Sequence, residues 1–111
     1  MSIPQEQAKG KIRTSLYIDY GGRTTREEKV INNQTTVFQL LNETHSVNYK
    51  EYSTGYFIVS IDGVEQNGTY SWLYFVNGKP PMVSVDKYHL SNNDVVVFKF
   101  LSNNEAMKYF K

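Results

Sequence analysis

Thr36-Val37-Phe38-Gln39-Leu40-Leu41 decides the fold class, because it is the one stretch of the chain that reads convincingly as a helix. The Thr36 hydroxyl can take an orphan N–H of the first turn, and Gln39, three residues on, can reach back to the Thr36 backbone, the capping-box arrangement. Val37, Leu40 and Leu41 then fall at i, i+3 and i+4 and form a single apolar stripe. Asn42, Glu43 and Thr44 weaken its continuation, so the helix is short, and Ser46 to Tyr52 reads as extended chain or loop.

Outward from this helix the hydrophobic period changes to two. Upstream, from Arg13, Leu16 and Ile18 alternate with Ser15, Tyr17 and Asp19 in a half-buried strand that stops at Gly21-Gly22. The return strand, about Thr25 to Ile31, carries Arg26, Glu27, Glu28 and Lys29, which suit an edge or a solvated face. Downstream, Tyr56 to Ile61 ends at Asp62-Gly63, Ser71 to Val76 ends at Asn77-Gly78, and Val95 to Leu101 comes after Asn92-Asn93-Asp94. Pro80-Pro81 cannot sit in a central strand, so Lys79 to His89 is expected to be a loop with at most a short edge strand around Met82 to Val85. The order β-β-α-β-β-β predicts an α+β fold, a β-grasp-like mixed sheet of about five strands with one helix packed on one face. Residues 1–12 are expected to be a disordered N-terminal segment, 13–104 a single domain, and 105–111 a C-terminal turn or tail.

A chain of 111 residues can bury one core without staples but not two. The absence of Cys removes disulfides, thiolate zinc sites and cysteine nucleophiles. Twelve basic against eleven acidic residues give no large field, which argues against nucleic-acid binding by bulk electrostatics. No run approaches the roughly 20 apolar residues of a membrane span, and the start MSIPQEQAKGK lacks the apolar core of a signal peptide. An extracellular or cell-surface origin fits if the chain is a trimmed fragment. Asn33-Gln34-Thr35, Asn42-Glu43-Thr44 and Asn67-Gly68-Thr69 match the glycosylation acceptor pattern, in a chain with enough Asn, Ser and Thr for matches to arise by chance.

Five motifs occur in a shared order. They are Tyr17 to Gly22 at the end of the first strand, Thr36 to Leu41, Gly55 to Gly63, Trp72 to Gly78, and Tyr88 to Val96. In that order and spacing, over about Arg13 to Leu101, the chain resembles the transcobalamin C-terminal-like domain family. The resemblance implies a β-grasp-type module that binds rather than catalyses. In vitamin B12 carriers such a domain closes over a cobalamin held by a larger helical partner; a lone module lacks that half, so cobalamin is implied as a ligand by the resemblance alone. The chain departs from the family pattern at Lys79-Pro80-Pro81.

Candidate site residues emerge from strand register. Trp72 and Tyr74 share one face of their strand, and Leu73 and Phe75 the other. If Leu73 and Phe75 pack on the helix, Trp72 and Tyr74 form an open aromatic platform for a planar ligand or a partner. The alternative is that Trp72 belongs to the core, the commoner fate of such a residue. Tyr56, with Ile58 and Ser60, poses the same choice against Phe57, Val59 and Ile61. Asn77, Gly78 and Lys79 either present donors and a cation at a binding rim or form a type I′ turn selected for its dihedrals.

His45 and His89 have no metal-ligand spacing, and Asp19, Asp62, Asp86 and Asp94 sit singly at strand ends and turns, so no metal is expected. No catalytic motif is present, and the Tyr109-Phe110-Lys111 ending lacks the Gly-Gly of a conjugating ubiquitin-like protein. The expectation is a non-enzymatic, monomeric binding module for a small ligand, with a corrinoid implied by resemblance alone. The alternative is a protein interaction or cell-surface module offering an edge strand at Thr25 to Ile31 or Met82 to Val85.

Overall fold

The computed structural model describes residues 10–110. The elements are β1 (Lys11–Asp19), β2 (Thr24–Asn32), α1 (Val37–Thr44), β3 (Val47–Tyr52), β4 (Gly55–Ile61), β5 (Val64–Glu65), β6 (Tyr70–Val76), β7 (Val95–Ser102) and α2 (Asn103–Met107). The mixed α and β character is as expected; the single sheet is not. The strands form a four-stranded sheet in the order β2-β1-β7-β6 and a separate three-stranded sheet in the order β3-β4-β5. β1 and β7 run parallel, and the other pairings are antiparallel.

The split arises because the segment read as extended chain or loop, Ser46 to Tyr52, contributes β3, which pairs with β4 and gives it a sheet of its own. Asn48, Lys50 and Glu51 are exposed, so β3 carries no buried alternation, as an antiparallel strand with a wet face tolerates. Residues 82–85 form no strand, and Met82 is 99% exposed. β1 begins at Lys11, two residues before the expected start, and Ile12 is buried, so residues 10–12 do not share the disorder expected of residues 1–12. The remainder of that expectation, over residues 1–9, lies outside the described residues, as does Lys111 at the other end. Among the described residues no helix is long and apolar enough to cross a membrane.

The helix start matches its sequence signal: Gln39 N–H donates to Thr36 Oγ1 at 3.1 Å, and Thr36 N–H donates to Gln39 Oε1 at 2.9 Å. Val37, Phe38, Leu40 and Leu41 are buried and join one core with Ile12, Leu16 and Ile18 of β1, Ile58 and Ile61 of β4, and Val96 and Phe98 of β7.

The pairing of β6 with β7 settles which face is which. Trp72 lies opposite Phe100, Tyr74 opposite Phe98 and Val76 opposite Val96. Residues directly opposite share a face, and Val96 and Phe98 are fully buried. Trp72 and Tyr74 therefore face the helix side, and the open platform that Trp72 and Tyr74 would form if Leu73 and Phe75 packed on the helix does not exist. Leu73 and Phe75 lie on the outer face, where Phe75 meets the Tyr109 ring at 4.8 Å and the Lys99 ammonium at 5.3 Å.

Candidate functional site

Trp72 is 9% exposed. Its ring meets Tyr20 edge-on at 5.9 Å and tilts against Phe100 at 5.0 Å, and its indole N–H donates to the Val64 carbonyl at 2.9 Å. Tyr74 stacks on Phe98 at 5.8 Å and donates its hydroxyl to the Val83 carbonyl. Burial, with the nearby Tyr88 and Asp86, raises the Tyr74 phenol well above its ordinary value, so it stays a donor. Tyr56, on β4, stacks on Tyr49 at 5.0 Å and meets Phe38 edge-on at 5.0 Å.

These three rings converge after all, though not on an open sheet face. They line a cleft of about 390 Å³ between β4, β6 and the 80–85 loop, together with Ile58, Pro81, Val83 and Phe98, and no charged side chain contributes to its wall.

The loop is a fixed wall. α1 leaves the N–H groups of its first turn without helical partners, and the loop supplies them: Val37 N–H donates to the Tyr88 carbonyl at 3.0 Å and Phe38 N–H to the Val85 carbonyl at 2.9 Å. Asp86 then ties the loop to β4 by accepting from the Tyr56 N–H at 2.9 Å and the Ser84 hydroxyl at 2.7 Å. Burial acts to raise the Asp86 carboxyl, but these two bonds, with its own backbone N–H and the nearby Lys87 charge, outweigh it and hold the group below its ordinary value. Gly55, at φ +139°, makes the approach possible, since a Cβ there would stand 1.9 Å from Ser84 Oγ and 2.5 Å from Ser84 Cβ.

Asn77, Gly78 and Lys79 stand apart from the cleft lining. Asn77 adopts φ +54° and closes the turn with its own side chain, donating to Asp94 Oδ1 at 2.9 Å and accepting from the Val95 N–H at 2.9 Å. The Val76 N–H donates to the Lys79 carbonyl at 2.9 Å. The sequence candidates thus divide into three cleft aromatics and one turn.

A second constellation had no local sequence signal. His45, just past the end of α1, lies between two carboxylates, with Nδ1 2.6 Å from Asp62 Oδ2 and Nε2 2.8 Å from Glu27 Oε1. Asp62 also accepts from the Tyr20 hydroxyl and, at 3.0 Å, from the Ser46 N–H. Burial acts to raise the Asp62 carboxyl, but the bonds from Tyr20, Ser46 and His45 prevail and lower it. Tyr20 is pushed up to about 12 by burial and by its bond to Asp62. These groups satisfy one another instead of facing a common open point, and among the described residues no group of three or more His, Cys, Asp or Glu is arranged to hold a metal. The constellation joins β2, the end of α1 and the β4–β5 turn, away from the cleft lining.

The fold has known relatives. In a crystal structure of haptocorrin in complex with Cbi, a region superposes with a TM-score of 0.73 at 18% identity, covering 83% of this chain and 25% of that one. The chain therefore spans about a quarter of haptocorrin's length. A protein from Ruminococcus gnavus ATCC 29149, described as a "putative metal binding protein", superposes with a TM-score of 0.70 at 15% identity over 83% of this chain and 98% of that one. No curated protein matches the sequence. The family model for a domain of unknown function, DUF4430, matches residues 34–102, more than half of the chain. The chain belongs to the DUF4430 family, and its fold is that of a transcobalamin C-terminal-like domain.

Proposed function

We propose that the domain is a non-enzymatic binding module that takes uncharged, apolar groups of its ligand into the cleft between β4, β6 and the 80–85 loop. The observation that carries this reading is the convergence of Tyr56, Trp72 and Tyr74 on a space of about 390 Å³ with no charged side chain in its lining. That size falls within the roughly 300–1,000 Å³ of small-molecule sites. Catalysis would need an acid, a base or a nucleophile converging on one point; here Tyr74, raised and bonded to Val83, is a fixed donor.

The likeness to haptocorrin, solved with Cbi, makes a corrinoid the first ligand to try. A cleft of this size takes one edge or side arm of such a macrocycle, with exposed Met82 and Phe57 near its mouth. Asn77 and Gly78 serve the turn, and Lys79 adjoins Pro80 at the rim as a candidate contact. The protein partner reading draws on the same exposed residues, Met82, Val83 and Phe57.

The test is a titration of the domain with Cbi, cobalamin and a panel of uncharged aromatic fragments, monitoring Trp72 emission and amide NMR peaks. The expected result is that residues 56–58, 72–74 and 82–83 shift together, and that Val83→Asp abolishes the shifts. If no compound moves these peaks, the small-ligand reading fails.

A further inference from the structure

The backbone bordering the cleft specifies more about its occupant than the side chains do. β6 is an edge strand of the four-stranded sheet. The Asn103 N–H donates to the Thr69 carbonyl and the Asn77 N–H to the Val95 carbonyl, so the odd-numbered positions from 69 to 77 turn their backbone groups toward β7. In an antiparallel ladder alternate residues do so, and the even-numbered residues point outward from the edge.

Both ends of this edge are closed. The Tyr70 carbonyl accepts from the Asn67 N–H and the Tyr70 N–H donates to Asn67 Oδ1, while Val76 exchanges bonds with Lys79. Between them, the N–H and C=O groups of Trp72 and Tyr74 have no partner among the described residues. Leu73, whose side chain lies on the opposite face, also lines the cleft, so the cleft runs along the strand edge and not only over its inner face.

We propose that the cleft is a strand-addition site for a short extended peptide, whose backbone pairs with Trp72 and Tyr74 and whose two flanking residues place uncharged apolar side chains in the cleft. The inference rests on the cleft being the binding site and names the class of ligand. Two donors and two acceptors, spaced two residues apart, match the hydrogen-bonding edge of a three-residue stretch of β-strand. Residues paired with Trp72 and Tyr74 share their face, which directs their side chains toward Tyr56 and Phe98. The wall's neutrality excludes a charged residue at those positions, since nothing there would pair it. The opposite edge of the sheet, β2, is guarded by Arg26, Glu27, Glu28 and Lys29. The β6 segment Tyr-Ser-Trp-Leu-Tyr-Phe-Val carries no charge.

The experiment has two parts, both on the whole chain. In the free protein, Trp72 and Tyr74 amides should exchange with solvent at least tenfold faster than Leu73 and Phe75; equal protection would overturn the proposal. Random heptapeptides displayed on phage are then selected against the domain, and hits are synthesised with blocked ends. Selection should enrich uncharged sequences with apolar residues at alternate positions, whose binding slows exchange at Trp72 and Tyr74. N-methylation of a hit at a residue paired with β6 should weaken binding about tenfold. Absence of enrichment, or hits that bind without protecting those amides, overturns the proposal. Protection that rises with protein concentration alone replaces the peptide by a second copy of the chain, and also overturns it. A fragment or corrinoid that shifts the cleft peaks while no peptide binds overturns this inference and leaves the cleft as a small-ligand site; if neither binds, both readings fail.

Discussion

Gly55→Ala should open the cleft's loop wall and destabilise the domain by about 2–4 kcal/mol. The first contribution is conformational: at φ +139° an L-residue is strained, at about 1–3 kcal/mol. The second is steric. The new Cβ would stand 1.9 Å from Ser84 Oγ, which can rotate away, but also 2.5 Å from Ser84 Cβ, which cannot move without the loop. Displacing Ser84 breaks its 2.7 Å bond to Asp86, worth about 1 kcal/mol. Gly63→Ala is the control, because Gly63 also has positive φ, +85°, but nothing lies within 4 Å of a Cβ there; it should cost about 1–2 kcal/mol. Urea unfolding monitored by Trp72 fluorescence gives both values, and in a thermal melt Gly55→Ala should lower Tm by roughly 10–20 °C. The decisive measurement is the cycle with Ser84→Gly. Removing the obstructing side chain should recover about 1 kcal/mol or more of the Gly55→Ala loss, leaving the strain and a 3.0 Å approach to Asp86 Oδ1. A coupling within about 0.5 kcal/mol of zero, the range for independent sites, would refute the close approach of β4 and the loop.

The hydrogen-bonded turns and clusters give three further expected outcomes. Asn77→Ala should cost about 2–3 kcal/mol in urea unfolding, from an Ala at φ +54° and two lost side-chain bonds, whereas Lys79→Ala should stay within about 0.5 kcal/mol. Asp62 is lowered in the folded state, so its stabilisation is present above the ordinary value of 3.8 and is lost as pH falls through the lower folded value. Asp62→Asn, which keeps a residue tolerant of φ +52°, should cost about 1–2 kcal/mol at pH 7 and flatten the acid limb of a stability-against-pH curve below about pH 4. Tyr74→Phe should cost about 1–2 kcal/mol and raise amide exchange in residues 82–85, since the phenol's bond to Val83 is lost within a half-buried site.

The parts of this fold that were legible in the sequence are those decided locally. The capping box at Thr36 and Gln39 is contained within four residues and appears as read. β1 is marked by alternation, β4, β6 and β7 by β-rich runs bounded by turn residues, and β2 by its place after the Gly21-Gly22 turn. β3 escaped because Asn48, Lys50 and Glu51 face water, so its strand character comes from pairing with β4 and not from its own pattern. The division into two sheets is likewise a matter of non-local pairing. The face of β6 was ambiguous for a different reason: Trp72 and Tyr74 on one side and Leu73 and Phe75 on the other are equally apolar, and only the partners Val96 and Phe98 distinguish them.

At the candidate site, Tyr56, Trp72 and Tyr74 were legible as a group while the cleft that joins them was not. Pro80-Pro81 indicated a loop, but nothing local shows that Val85 and Tyr88 cap the start of α1 and thereby make that loop a wall. Glu27, His45 and Asp62 are separated by eighteen and seventeen residues and carry no spacing pattern. Their association depends on the β4–β5 turn reaching the end of the helix.

The parallel pairing of β1 with β7 also determines how the domain would respond to being pulled from its two ends. Among the described residues these are the first and last strands, side by side over the pairs from Ser15 with Val95 to Asp19 with Lys99. Because they run in the same direction, tension at the start of β1 and the end of β7 pulls the strands in opposite directions along their length. The slanted bonds of a parallel ladder are then loaded together in shear, not unzipped one at a time. Placed within a longer chain under load, the domain would act as a mechanical clamp whose strength lies in the centre of the four-stranded sheet.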